Sequence, residues 1–307
     1  MKKKMSFSAL STYMDCPFKR YLTYELGLWG PKSLYMYFGT VVDDAFDDLL
    51  IQRLPADDVV NKVVSLLAEE NIEDPDVVDS FREAAEKRWK RNATAGRLIT
   101  EFQEIAALHL YKLAGMFNRE TGLLDLRSLE GWPPQHVITE LLEVVDYQTQ
   151  LLVDGVDIKF KGFIDLVCRG VESKKLYVID IKTTGRPWEM HKSYTKRKLH
   201  QLKLYKKYLI DAVGQGRIKA IPQQELDPAM IETWYLFLYR AKSGKQEVKK
   251  ISSDPKDVST SVRMIEGAGR KIKQGFKDKN QTESSCRMCH LKERCHAGEF
   301  DRFLSEG

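Results

Sequence analysis

The chain has 307 residues, 43% hydrophobic and 30% charged, enough to bury a substantial core as one large domain or two small ones. Its net charge of +5 permits a polyanionic partner without requiring one. No apolar stretch is long enough to span a membrane. Ser6, Ser8, Ser11, Tyr13 and Asp15 interrupt any signal-peptide core behind the basic Met1–Lys4 start, and five cysteines, an odd number, fit a reducing, cytoplasmic setting better than a disulfide framework.

In chain order, Ser8 could cap a short helix running through Met14, which Pro17 breaks or restarts. Phe38-Gly39 leads into Thr40–Ile51, where Val42, Ala45, Phe46, Leu49 and Leu50 keep helical spacing. Residues 52–130 are rich in Ala, Glu, Leu and Lys and predict several helices, with turn signals at Pro55, Pro75 and Gly122. Trp132-Pro133-Pro134 marks a change to strands, expected over 137–146 and 147–153 as one strand or two. Asp154-Gly155 is a hairpin signal, and strands follow over 156–168 and 175–182. Thr195–Ala212 reads as a helix, Glu232–Arg240 as an apolar aromatic strand and Ser259–Lys273 as a helix before a cysteine-rich tail. Strands bracketed by helices predict an α/β layer fold with a mixed sheet.

Two clusters on the adjacent strands carry the chemistry. Gly162-Phe163-Ile164-Asp165 is followed by Asp180-Ile181-Lys182. Asp157-Ile158-Lys159 repeats the second triplet, so the triplet alone says little. The difference is context: Asp180-Ile181-Lys182 ends the run Leu176-Tyr177-Val178-Ile179, apolar on both faces as a central strand is, where charges are costly unless a site uses them. Strand alternation puts Asp180 and Lys182 on one side and Ile181 on the other, with the Ile181 carbonyl still available to a metal. Two carboxylates and a lysine so placed can hold a hard divalent cation beside a phosphodiester. Charge is also unevenly spread. Asp43 to Asp79 holds twelve Asp/Glu and two Lys/Arg, whereas Arg186 to Lys207 holds eight Lys/Arg and one Glu. In the basic stretch Trp188, Tyr194 and Tyr205 interleave with Arg186, Lys192, Lys196, Arg197, Lys198 and Lys203, a pattern that suits phosphates and unpaired bases; it leans to single strands or strand ends. For Tyr205, core packing is the competing reading.

Gly162-x-x-Asp165, Asp180-Ile181-Lys182-Thr183 and Gln201-x-x-x-Tyr205, in that order, resemble the RecB-like branch of the PD-(D/E)XK nuclease superfamily. So do Ser6-Phe7-Ser8-x-Leu10 with Cys16-Pro17, and Phe38-Gly39-Thr40-x-Val42. The resemblance implies a restriction-endonuclease-like mixed sheet flanked by helices and a DNA nuclease dependent on Mg²⁺ or Mn²⁺. It implies an exonuclease, with a helicase or recombination partner. By it, Asp165, Asp180 and the Ile181 carbonyl would be metal ligands, Lys182 would orient water or stabilise charge on the phosphate, and Gln201 and Tyr205 would meet the metal site or the DNA backbone. The family usually has His where this chain has Asp43, which is either an oxygen ligand or part of a solvated face with Asp44, Asp47 and Asp48. A scaffold that keeps the fold and binds DNA without turnover is the rival that Asp43 supports.

Cys286-x2-Cys289-x5-Cys295 lies in a polar tail, and close cysteines in a reducing compartment usually bind metal. Cys16 is the natural fourth ligand, Cys168 reads as core, and His290 and His296 keep zinc open, as in a zinc-stapled nucleic-acid interaction protein. The pattern resembles the iron–sulfur nucleases of AddB and CRISPR-adaptation type, which implies a 4Fe–4S cluster on Cys16, Cys286, Cys289 and Cys295 stapling the first helix to the tail. The expected organisation is N-terminal helices over 1–51, a helical insertion over 52–135, a nuclease core over 136–240 and a C-terminal helix with the cluster tail over 241–307.

Overall fold

The structure, a computed structural model, describes residues 3–89, 94–131, 136–155, 157–185, 192–286 and 289–305. A short strand β1 (Lys3–Met5) precedes helices α1 (Phe7–Asp15) and α2 (Pro17–Tyr24). Ser6, rather than Ser8, caps α1 by accepting from the Ala9 N–H at 3.1 Å. Cys16 ends α1 and caps α2, whose first residue is Pro17, a position that needs no N–H. Helix α3 (Leu34–Leu50) starts well before Thr40, so Gly39 lies inside it. Helices α4 (Ala56–Leu66), α5 (Pro75–Trp89) and α6 (Ala95–Met116) follow, with Pro55 and Pro75 at the helix starts. Three two-residue strands, β2 (Phe117–Asn118), β3 (Leu123–Leu124) and β4 (Glu130–Gly131), lead to the central sheet.

That sheet is mixed. Strand β5 (Leu142–Asp154) is one continuous strand and turns at Asp154-Gly155 into β6 (Ile158–Gly170), with which it pairs antiparallel. Strand β7 (Leu176–Thr184) pairs antiparallel with β6, and helix α7 (Lys192–Gly214) crosses over to β8 (Ile231–Tyr239), parallel to β7. Strand β9 (Gln246–Ile251) runs antiparallel to β8. Gln246, Val248 and Ile251 are buried and the residues between them are partly exposed. The order is β2-β3-β5-β6-β7-β8-β9-β4, with β1 beside β6. Helix α8 (Pro255–Lys273) and the short α9 (Glu283–Cys286), α10 (Lys292–His296) and α11 (Arg302–Ser305) complete the chain.

The sheet divides two cores. On one face α3 to α6 pack on Leu142, Leu166, Ile179, Leu236 and Val248. On the other, α1, α7 and α8 cover Phe160, Val167, Val178, Tyr235 and Phe237. A small third cluster, Phe18, Leu22, Leu291 and Phe300, ties α2 to the tail. Among the described residues no helix is long and apolar enough to cross a membrane.

Candidate active site

Strands β6 and β7 pair from Arg169↔Leu176 to Leu166↔Ile179 and then part. The next pair in that register would be Asp165 opposite Asp180, and like charges directly opposed destabilise a ladder. Instead Asp165 reaches across: its Oδ2 accepts the Ile181 N–H at 2.7 Å, replacing a strand carbonyl. Strand β7 stays paired with β8 through Thr184, so the opening is confined to the β6 side.

Alternation puts Asp180 and Lys182 on the α7 side and Ile181 toward the other core. Asp180 is fully buried. Its Oδ1 accepts from the Gln201 side-chain amide at 2.8 Å, and its Oδ2 lies against the Lys182 ammonium in an ion pair. Gln201 also donates to the Tyr205 hydroxyl at 2.9 Å, as expected of residues four apart on one helix face. The Tyr205 ring packs in the core, and its hydroxyl accepts from the Gln201 amide that also reaches Asp180. Gly162 keeps this spot open, because a Cβ there would lie 2.9 Å from the Phe160 ring and 3.1 Å from the Tyr205 ring.

Asp43 points into the site. Tyr147 donates its hydroxyl to Asp43 Oδ1 at 2.9 Å and to the Asp43 carbonyl at 2.6 Å, and Gln148 donates its side-chain amide to Oδ2 at 2.8 Å. Tyr147 and Gln148 follow a register shift in β5 between Val144 and Asp146, and Gln148 has φ of 51°, a conformation that L residues seldom adopt. Sequence reading missed both. The signal was the polar run Asp146-Tyr147-Gln148 interrupting an apolar alternation. The neighbouring acids differ: Asp48 is buried and paired with Lys62, and Asp47 accepts from Gln52.

The site is crowded with negative charge. Burial, joined by the charge of Asp180, pushes the Asp165 carboxyl well above its usual range, and burial also raises Asp43 against the pull of the Tyr147 hydrogen bond. Burial opposes charge on Lys182, but Asp180 and Asp165 outweigh it and hold the ammonium above its ordinary range. Buried Gln201 Oε1 has no hydrogen-bond partner among the described residues, and Asp180 Oδ2 has only the Lys182 ammonium. Three carboxyls facing one ammonium are what an added hard cation would satisfy. Among the described residues no three His, Cys, Asp or Glu side chains stand ready-made as a metal cage.

The repeated triplet is structural. Asp157 accepts from Arg270 at 2.6 Å, and Ile158 is fully buried. Lys203 is also no free phosphate contact: it is buried and paired with Asp257 at 3.0 Å, joining α7 to α8. Lys198 lies over the Phe7 ring. Arg186 and Trp188 fall outside the described residues, as do the side chains of Lys192, Tyr194, Lys196 and Arg197.

Cys16, Cys286, Cys289 and Cys295 line one hollow, and all are free thiols. The Cys16 sulfur accepts from the backbone N–H groups of Lys19 at 3.4 Å and Asn280 at 3.3 Å. His296 lines the same hollow, whereas the His290 ring contacts the Leu28 carbonyl at 3.0 Å. Cys168 is buried in the core.

The family model of the PD-(D/E)XK nuclease superfamily matches residues 4–296. A solved structure from Eubacterium rectale, described as a candidate exonuclease, shares the fold with a TM-score of 0.51 at 11% identity; the match covers 95% of this chain and 88% of that one. No curated protein matches.

Proposed function

The chain belongs to the PD-(D/E)XK nuclease superfamily, and from that premise we propose that it is a metal-dependent DNA exonuclease of the RecB-like, iron–sulfur kind. The observation that carries this reading is the parted ladder, where Asp165 crosses to the Ile181 amide beside the Asp180–Lys182 pair.

In this reading Asp165, Asp180, the Ile181 carbonyl and Asp43 hold Mg²⁺ or Mn²⁺. Asp43 takes the place of the family's His, and its carboxylate is already aimed by Tyr147 and Gln148. When bound, the cation polarises the phosphoryl oxygen and makes water a better nucleophile. Lys182 supplies a fixed positive charge for the phosphate oxygens and donates to the attacking water. Gln201 orients Asp180, and Tyr205 fixes Gln201. Cys16, Cys286, Cys289 and Cys295, soft ligands that line one hollow, would hold a 4Fe–4S cluster as a structural staple, with zinc the alternative occupant; as placed among the described residues, no three of them form a ready metal cage. Single strands or strand ends are the proposed substrate, and a helicase or recombination partner would deliver them.

The test is a time course on end-labelled single- and double-stranded DNA after anaerobic purification. Cleavage should require Mg²⁺ or Mn²⁺, stop with EDTA, and fall by roughly 10²–10³-fold or more in Asp180→Asn and Lys182→Ala. If wild type and Lys182→Ala are equally inert while both bind DNA, the protein is a binding scaffold instead.

A further inference from the structure

A groove of about 1300 Å³ opens at the C-terminal ends of the parallel strands β7 and β8, the end at which open α/β sheets take ligands. The first turn of α3, the second half of α5 and the first turns of α6 border it. Thr183, the residue after Lys182, belongs to the lining, and Thr184 lies roughly 7 Å beyond Lys182 along the strand. Tyr35, also in the lining, precedes Asp43 on α3 by about 12 Å of helix. The groove therefore abuts the candidate active site, yet none of the residues assigned to the cation or the water lines it.

A layered platform stands in this groove. Tyr35 is 48% exposed, and its ring lies 6.1 Å from that of Phe102, which Phe38 and Phe81 meet edge-on at 4.9 and 5.5 Å. The Leu34 N–H donates to the Ser80 hydroxyl at 3.1 Å and pins this turn of α3 to α5. The Arg240 guanidinium lies over the Tyr35 ring, 4.3 Å from its centroid. The Arg240 backbone N–H donates to the Thr184 carbonyl at 2.7 Å, and Gly185 leaves the guanidinium room, since a Cβ there would lie 3.1 Å from it. Ring and guanidinium thus come from separate elements and are each held in place.

The charges around it are sorted. Lys87 faces Glu83 at 3.3 Å and Arg88 faces Glu101 at 2.7 Å, so the α5 cations of the lining are answered by its two acids. Lys242, exposed, lies two residues beyond Arg240 on the same wall. A guanidinium layered on an aromatic ring offers a flat, weakly hydrated face on which a base of any sequence stacks. A base inside a duplex has both faces covered by its neighbours, so only an unpaired one can use it.

We propose that this groove seats an unpaired nucleotide flanking the scissile phosphate, with its base stacked on the Tyr35–Arg240 pair. The pair is then a positioning device that favours single strands and frayed ends over intact duplex. This rests on the nuclease reading, which supplies the strand.

The test is anisotropy of a labelled single strand on the full-length protein with Ca²⁺, joined to the fluorescence of 2-aminopurine placed near the strand end. Tyr35→Ala and Arg240→Ala should each weaken single-strand binding by roughly tenfold and leave blunt duplex within about twofold. Tyr35→Phe keeps the ring and should bind like wild type, which guards against a folding artefact. Binding should quench 2-aminopurine in wild type and Tyr35→Phe, and the quenching should vanish in Tyr35→Ala. Absence of single-strand binding in wild type, quenching that survives Tyr35→Ala, or equal losses on single strand and duplex overturns the proposal. DNA cleavage with Mn²⁺ is scored separately, and there Tyr35→Ala should act through KM rather than kcat. A wild type that cleaves DNA but stacks no base on this pair refutes the groove alone; one that shows the ring-dependent quenching but cleaves nothing refutes the nuclease reading alone.

Discussion

Glu140 is only 5% exposed, yet it accepts hydrogen bonds from the backbone N–H groups of Glu172 and Ser173, each at 2.9 Å, and from the Tyr177 hydroxyl at 2.7 Å. It thereby clamps the β6–β7 turn, and Gly170 leaves room for it, since a Cβ there would lie 2.5 Å from the carboxylate. Burial alone would raise the Glu140 pKa, but the hydrogen bonds win and hold it at about 2. The folded-state value lies below the unfolded one, so the stabilisation is complete above the unfolded pKa and disappears as pH falls through the folded pKa. Glu140→Gln should cost about 3 kcal/mol at neutral pH, read as a lower urea midpoint. The gap to wild type should narrow below about pH 4.5 and close near pH 2; a gap independent of pH would remove the carboxylate from the account. At this scale the sequence was readable where pattern and chemistry coincide, as in Asp180-Ile181-Lys182. The glycine of Gly162-x-x-Asp165 was readable only as a pattern, because its reason is crowding by two rings, Phe160 on its own strand and Tyr205 arriving from α7.

Among elements, the junction of α1 and α2 meets the C-terminal tail. Phe18 donates its N–H to the Asp278 carbonyl at 3.1 Å, the Asn280 side chain donates to the Asp15 carbonyl at 2.7 Å, and the four cysteines line the hollow between. If a cluster occupies it, Cys286→Ser should lower the Tm by at least about 5 °C while leaving cleavage per folded molecule nearly unchanged. Unchanged melting with lost cleavage would move the cysteines from staple to catalysis. The hairpin at Asp154-Gly155, the apolar β7 and the helices after Pro55 and Pro75 were legible because turn chemistry and periodicity are local. The start of α3 was not. Gly39 looked like a break, but it sits inside the helix where a Cβ would come 3.3 Å from the Thr183 hydroxyl, so it serves the packing of α3 on the end of β7. Strand β9 was hidden because its two adjacent lysines, Lys249 and Lys250, break the strict alternation between buried Val248 and Ile251.

Across the whole molecule, the two cores share one sheet, and helices α4 to α6 belong to the same apolar cluster as α3 and the strand residues beneath it. Cutting out residues 52–116 would therefore remove much of the cluster that holds Leu142, Leu166, Leu236 and Val248, and the remainder should lose its near-UV circular dichroism and bind a hydrophobic dye. A shortened chain with native spectra would show that the rest folds without them. The parted ladder has its own consequence for this shared sheet. Deep in a strand, the Ile181 amide answers to a side chain, Asp165, and to no strand carbonyl across the gap. Whatever draws that carboxylate away releases a single proton to solvent, so deuterium uptake at Ile181 would report a filled site without a bond being cut.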